Sequence, residues 1–189
     1  MEENLQFERK SIYTLVLTGI MAGLVLVATS SFRIPVAATN GYVHLGDAMI
    51  FLSVMLLGKK NGAIAGASGS ALADLLGGYG HWVPWTFVIK GLMALVAGLI
   101  LFAGKDDDAA SAQTSSKPLS VRSALAMTAG GLVMIAGYFL AQRFIYGTWA
   151  APLAALPGNI IQAAAGIVLA EVFSSALFKA APQMFYNPR

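Results

Sequence analysis

The segment GYVHLGDAMIFL at 41–52 sets a histidine and an aspartate, His44 and Asp47, at the head of an apolar run. Further side chains able to grip a small polar molecule recur along the chain: Asp74, His81, Trp85, Lys90, Tyr138, Gln142, Arg143, Asn159 and Gln162. Carboxylates, imidazoles, amides and aromatic rings together offer stacking surfaces and directed hydrogen bonds, the make-up of a small-molecule pocket. The mix contains no nucleophile–base set: HExxH and GxSxG are both absent, so no catalytic residue is assigned. With 2 histidines and 0 cysteines, no metal site is expected.

Helical spacing gathers these residues onto shared faces. Trp82, Thr86 and Lys90 form an i, i+4 stripe, as do Tyr138, Gln142 and Tyr146, while Asn159 and Gln162 share another face. Stripes of this kind could converge on one pocket. Plainer roles stay open for several members. Asp74 and Lys90 could neutralise each other, Asp47 could cap a helix start, Arg143 could reach out to headgroups, and His44 could be a hydrogen-bonded structural imidazole. Trp82, Trp85 and Trp149 suit an interfacial aromatic belt. Glu171 is out of phase with the Asn159/Gln162 face and receives no role.

The elements that position these residues follow from composition. The 189 residues are 57% hydrophobic and 11% charged, with a mean hydropathy of +0.70; a soluble domain carries about 25% charge. A membrane-crossing helix needs about 20 apolar residues. Spans are expected at about 12–29, 45–58, 61–79, 82–104, 121–146 and 153–179. The fold class is therefore all-α: an integral membrane bundle of six transmembrane helices forming one domain over 1–189, with the polar stretch 105–120 as a mobile cytoplasmic linker. MEENLQFERK lacks the order of a cleaved signal peptide, so the first span reads as retained.

Placing both termini in the cytoplasm puts Arg9, Lys10, Lys59, Lys60, Lys105, Lys117, Arg122, Lys179 and Arg189 inside and leaves Arg33 outside, with Arg143 near the outer end of its span. The net charge of +3 then reflects membrane topology, and no nucleic-acid partner is expected. In this orientation the intramembrane polar residues collect in the outer half. A charge at membrane depth costs about 2.5–3.5 kcal/mol and usually faces a bundle interior or a wet cavity.

Small residues mark two further faces. Thr18, Gly19, Ala22 and Gly23 make a flat surface on the first span, suited to docking another membrane subunit. Gly62, Gly66, Ser70, Asp74 and Gly78 recur at intervals of four and suit internal packing. No GxxxxGK[ST] nucleotide loop occurs, and neither repeats nor midplane ion sites suggest an ion-driven carrier. An outward pocket without an engine points to a binding subunit driven by partners. A proton-coupled carrier using Asp74 and Lys90, and an assembly subunit without a ligand, are the alternatives.

GYVHLGDAMIFL, the run GKKNGAIAGASGSALADLLGGYGHWVPWTFVIKGLMALVAG and LPGNIIQAAAG together resemble the substrate-binding (S) components of energy-coupling-factor (ECF) vitamin transporters. The closest group is that for riboflavin, pyridoxine or hydroxymethylpyrimidine uptake. The resemblance implies a multi-pass protein of a prokaryotic cell membrane, with a vitamin pocket near the outer surface closed by the loop at about 30–43. It implies a transmembrane coupling subunit and two cytoplasmic ATPases as partners, with ATP and magnesium in the ATPases and no cofactor in this chain. It also implies docking through an AxxxA-like motif, replaced here by the Thr18–Ala22 and Gly19–Gly23 spacings, and delivery by toppling in the lipid bilayer. His44 and Asp47 then sit at the pocket rim. Since only Arg33, Lys90 and Arg143 offer basic contacts, a hydroxymethylpyrimidine- or pyridoxine-like ring is favoured over riboflavin, with folate last.

Overall fold

A computed structural model describes residues 2–104 and 118–185, with side chains from Ser11 onward. Its helices are α1 (Glu2–Ser31), α2 (Asp47–Leu76), α3 (Val83–Leu101), α4 (Val121–Tyr146) and α5 (Ala150–Ala180). Between α1 and α2 lies an antiparallel hairpin of β1 (Arg33–Val36) and β2 (Gly41–His44), joined by a short 3-10 turn at Ala37–Thr39. The described residues are otherwise helices, turns and short connections, and among them 5 helices are long and apolar enough to cross a membrane.

The spans expected at 45–58 and 61–79 fall within the single element α2. Gly58 divides it, with φ 79° and ψ 178°, a conformation open essentially to glycine alone. There the chain turns back on itself. A Cβ at Gly62 would stand 2.6 Å from Val54 Cα, and one at Gly66 would stand 2.8 Å from a methyl of Ile50. In a straight helix, residues 54 and 62 would be about 12 Å apart. The arms 47–57 and 59–76 therefore lie antiparallel in direct contact, and the small residues at 62 and 66 permit that approach. The expected GKKNG separator shrinks to one residue, because Lys59, Lys60 and Asn61 are already helical.

Folded in this way, α2 packs against α1, α3 and α5, while α4 bridges α3 and α5. Ile50, Phe51 and Val54 meet Met93, Met127 and Met134 in the buried centre. The backbones of α1 and α2 touch: a Cβ at Gly69 would stand 2.4 Å from the Ala22 carbonyl oxygen. Close approach of this kind is how helices associate in lipid, where no water-driven collapse assists them. Yet α1 is the least covered helix, with 22% of its apolar window buried.

The end of the bundle away from the hairpin has its own polar anchor. Glu171, deep in α5, accepts from Ser123 Oγ at 2.5 Å and from the Leu119 N–H at 2.6 Å. It thereby serves the N-terminus of α4, where Ser120 and Ser123 form a capping box. Arg122 donates to the carbonyls of Ile100 and Ala103 at the end of α3. Of the expected linker 105–120, residues 105–117 lie outside the described residues.

The reversal at Gly58 sets a test. Gly58→Ala should lower the thermal midpoint in detergent, at a cost of order 1–3 kcal/mol. Gly80→Ala, where nothing lies within 4 Å of the added methyl, should leave the midpoint unchanged. Equal midpoints for both variants would contradict the turn.

Candidate functional site

The hairpin lies across the ends of three helices, and each of them holds it. Its register pairs Arg33 with His44 and Val36 with Gly41. Pro35 is tolerated because a two-stranded hairpin leaves edge positions that need no N–H, and Asn40 takes the left-handed conformation at φ 44° that closes the turn. Tyr42 and His44 share a face by strand alternation. The Tyr42 hydroxyl donates to Asp74 Oδ1 of α2 at 2.6 Å. Tyr146 of α4 donates to the Thr39 carbonyl. The His44 N–H donates to Gln162 Oε1 of α5 at 2.9 Å. Arg33 adds a clamp at the strand start, donating to Ser30 Oγ and to the Ala73 carbonyl, with its guanidinium 4.8 Å from the Tyr42 ring centroid.

Beneath the hairpin is a cavity of about 40 Å³, room for roughly three waters. Its roof is formed by Val36, Thr39, Gly41, Tyr42 and His44; its walls are Asp74, Trp82, Thr86, Tyr138, Gln142, Ala155, Asn159 and Gln162. Trp82 and Tyr138 meet edge to face with ring centroids 5.8 Å apart. The Tyr138 hydroxyl donates to Thr86 Oγ1 at 3.1 Å. Three buried polar atoms of the lining residues have no hydrogen-bond partner: Asp74 Oδ2, Trp82 Nε1 and Gln142 Oε1. Buried polar groups are nearly always satisfied, so these three atoms stand out on the lining. A more open cleft of about 360 Å³ outside the hairpin, lined by Pro35, Asn40, Tyr79 and His81 among others, shares Val36 and Gly41 with the cavity. The strand backbone is the wall between them.

A buried ion pair supports the roof. Lys90 Nζ and Asp47 Oδ1 are 2.5 Å apart, both side chains fully buried. Gln162 Nε2 donates to Asp47 Oδ2 at 3.0 Å while its Oε1 accepts from His44. One amide thus links the ion pair to the strand. A Cβ at Gly166 would stand 2.7 Å from Asp47 Cβ, so glycine is required for α5 to come this close. Lys90 also sits 5.4 Å from the Tyr138 ring centroid. His44 Nδ1 accepts from the Gly46 N–H at 3.0 Å. Burial, then the Lys90 charge, with Arg33 adding to them and Asp47 opposing, push the His44 imidazole down to about 3. The imidazole is therefore neutral. Burial and the bond to Asp74 raise the Tyr42 phenol well above its ordinary value.

The structure sorts the residues singled out in the sequence. It gathers His44, Asp74, Tyr138, Gln142, Asn159 and Gln162 on one cavity. Asp47 and Lys90 lie in the support beneath it, and Lys90 pairs with Asp47 rather than with Asp74. That corrects the expected Asp74–Lys90 neutralisation, and Asp47 serves as the partner of Lys90 and Gln162 rather than as a helix cap. His81 is exposed in the outer cleft. Trp85 stacks on Phe144 at 5.5 Å, so Trp82 and not Trp85 lines the cavity. Arg143 lies over the exposed Trp149 ring at 5.0 Å, away from the cavity. On α1, Thr18 is buried and donates to the Thr14 carbonyl, and Ala22 backs onto α2, while Gly19 and Gly23 face open space. Tyr42, Thr39 and Val36 were not foreseen; the alternation that puts Tyr42 beside His44 was the available signal.

The family model for the ECF-type riboflavin transporter, S component, matches residues 9–179. The chain belongs to this family. It is a substrate-binding subunit of a transporter for a vitamin or vitamin precursor, a multi-pass protein of the prokaryotic cell membrane. The S component is 32% identical over 168 residues to the thiamine precursor transporter HmpT of Lactococcus lactis, covering 88% of this chain and 89% of that one. It is 37% identical over 145 residues to an uncharacterized protein of Pyrococcus woesei, covering 77% of this chain and 88% of the relative. The family is one of transporter components rather than enzymes.

Two outcomes follow from the supporting network. Asp47→Asn or Lys90→Met alone should each destabilise the protein by about 3–5 kcal/mol, because each strands a buried charge. The double variant should recover much of that loss in a thermal-shift double-mutant cycle; additive losses would contradict the pair. His44 sets a pH dependence. Its folded value lies below the 6.5 of an unfolded imidazole, so its contribution is full above pH of about 6.5 and is lost as pH falls toward 3. The thermal midpoint should drop on acidification across that window, and His44→Asn should flatten the drop.

Proposed function

We propose that this S component captures a hydroxymethylpyrimidine-like vitamin precursor in the cavity beneath the hairpin and hands it to an ATP-driven importer. The observation that carries this reading is the cavity itself: small, roofed by a strand hairpin, and lined by two aromatic rings, a carboxylate and several amides. A single heteroaromatic ring matches that lining, with stacking from Trp82 or Tyr138 and directed bonds from Asp74, Gln142, Asn159 and Gln162. His44 acts through the roof. The Lactococcus relative is named for a thiamine precursor, and the two halves of thiamine are each built on a single heteroaromatic ring. Pyridoxine is next in order. Riboflavin is the second reading, favoured by the family description; a cavity of about 40 Å³ requires the hairpin to move for either ligand, and further for the fused three-ring system.

On this proposal the bundle crosses the membrane six times, the two arms of α2 counting separately, with both termini in the cytoplasm. The fold-back at Gly58 supports the count, and the distribution of Lys59, Lys60, Arg122 and Lys179 supports the orientation. The partners are a transmembrane coupling subunit and two ATPases that hold ATP and magnesium, as in ECF transporters generally. The open Gly19/Gly23 face of α1, with exposed Val16, Ile20 and Val27 around it, is the docking surface on which the S component topples. A standalone carrier using Asp74 and Lys90 is disfavoured by the commitment of Lys90 to Asp47.

Titrating the purified chain with the aminopyrimidine alcohol should quench tryptophan fluorescence at submicromolar ligand. The signal should vanish in Trp82→Phe and persist in Trp85→Phe. Quenching by riboflavin alone would replace the precursor with the flavin. No response to any vitamin from folded protein would overturn the reading.

A further inference from the structure

We infer that Asp74 is the residue by which this S component tells an aminated ring from one bearing a carbonyl at the same edge. The inference rests on the cavity being the ligand site, as proposed above, and adds the rule by which it selects.

Asp74 is the one carboxylate on the cavity lining, among the described residues, and the His44 imidazole beside it is held neutral. The Asp74 side chain is 4% exposed. Oδ1 accepts from the Tyr42 hydroxyl at 2.6 Å and the Thr86 hydroxyl also lies against the carboxylate, whereas Oδ2 has no hydrogen-bond partner. The nearby cations do not satisfy it. Lys90 is committed to Asp47 at 2.5 Å, and Arg33 donates to Ser30 and the Ala73 carbonyl from one terminal nitrogen, with no hydrogen bond to Asp74. An ionised carboxylate accepts hydrogen bonds and donates none. A ligand meeting Oδ2 must therefore present an N–H or O–H there, and a ring carbonyl would meet it lone pair to lone pair.

The neighbouring orphans complete the pattern. Gln142 Oε1 is a second unpartnered acceptor and Trp82 Nε1 an unpartnered donor. An exocyclic amine beside a ring nitrogen supplies two donors from one atom and an acceptor next to it, which suits the set. A flavin imide or an oxopyrimidine has a carbonyl oxygen where the amine would stand and its N–H one ring atom away, so in the same pose it turns lone pairs toward the carboxylate, the situation in which polar sites discriminate strongly. Tyr42 ties the choice to the roof: the carboxylate that reads the ligand also holds the hairpin, so a ligand that repels Asp74 also strains the closure.

The test uses the full chain in detergent, two probes and three forms of the protein. The probes are the aminopyrimidine alcohol and its deaminated counterpart with a ring carbonyl, followed by tryptophan fluorescence. Wild type should bind the amine about ten- to hundredfold more tightly than the carbonyl compound, the range of one charge-assisted hydrogen bond. Asp74→Asn, whose amide can donate, should lose that preference or invert it. Tyr42→Phe keeps the carboxylate and should keep the preference even if both affinities fall. Equal affinity of wild type for the two compounds, or an unchanged preference in Asp74→Asn, would overturn the inference and leave the vitamin-binding reading standing. Binding of neither compound by folded wild type would overturn both. The wild-type comparison decides the matter even if Asp74→Asn does not fold.

Discussion

The hairpin end of the molecule depends on one buried contact, Lys90 to Asp47. Two charges withdrawn from both water and lipid are expensive, and their attraction repays the cost only with good geometry and further hydrogen bonds. Here those conditions fix the architecture. Asp47 opens α2, Lys90 lies in α3, and Gln162 of α5 donates to the remaining carboxylate oxygen. Three helices are brought to one point, and α5 reaches it only because residue 166 has no side chain. The contact answers why a histidine and an aspartate head an apolar segment. The aspartate holds the helices, and the histidine carries the strand that the helices hold.

From that point the roof follows. The Gln162 amide binds the carboxylate with its nitrogen and the β2 backbone with its oxygen. Tyr42 on Asp74 and Tyr146 on Thr39 fasten the hairpin from the other sides. A hairpin of two 4-residue strands is marginal alone; it persists here because side chains of three helices replace the missing neighbours. Each of these fastenings is polar, few in number, and close to the cavity. A ligand that adds bonds to the same residues would strengthen the closure, and losing it would loosen the roof, which is how a binding subunit can hold and then release its cargo.

Much of this was legible in the sequence because lipid penalises stray charge. The crowding of Asp47, Asp74, Lys90, Gln142, Asn159 and Gln162 toward one end of the spans follows from that penalty, and the structure gathers all of them at or just beneath one cavity. What escaped was decided by partners distant along the chain. Lys90 and Asp47 are 43 residues apart, and helical phase alone could not choose Asp47 over Asp74. Trp82 and Trp85 lie on adjoining faces of one turn, and only the position of α4 sends the first to Tyr138 and the second to Phe144. The hairpin was read as a loop because four-residue strands containing Pro35 and ending near Gly41 show too little alternation to register. The break in α2 falls at Gly58, the first residue of the expected GKKNG separator, and one glycine suffices where a longer separator was expected.

The most direct measurement is an experimental structure of the chain with the aminopyrimidine alcohol added. The account predicts one ring's worth of density beneath the hairpin, in contact with Asp74 and against Trp82 or Tyr138, with Lys90 still paired to Asp47. Density in the outer cleft by Tyr79 and His81, or a ligand bonded to Lys90 with the ion pair broken, would contradict it.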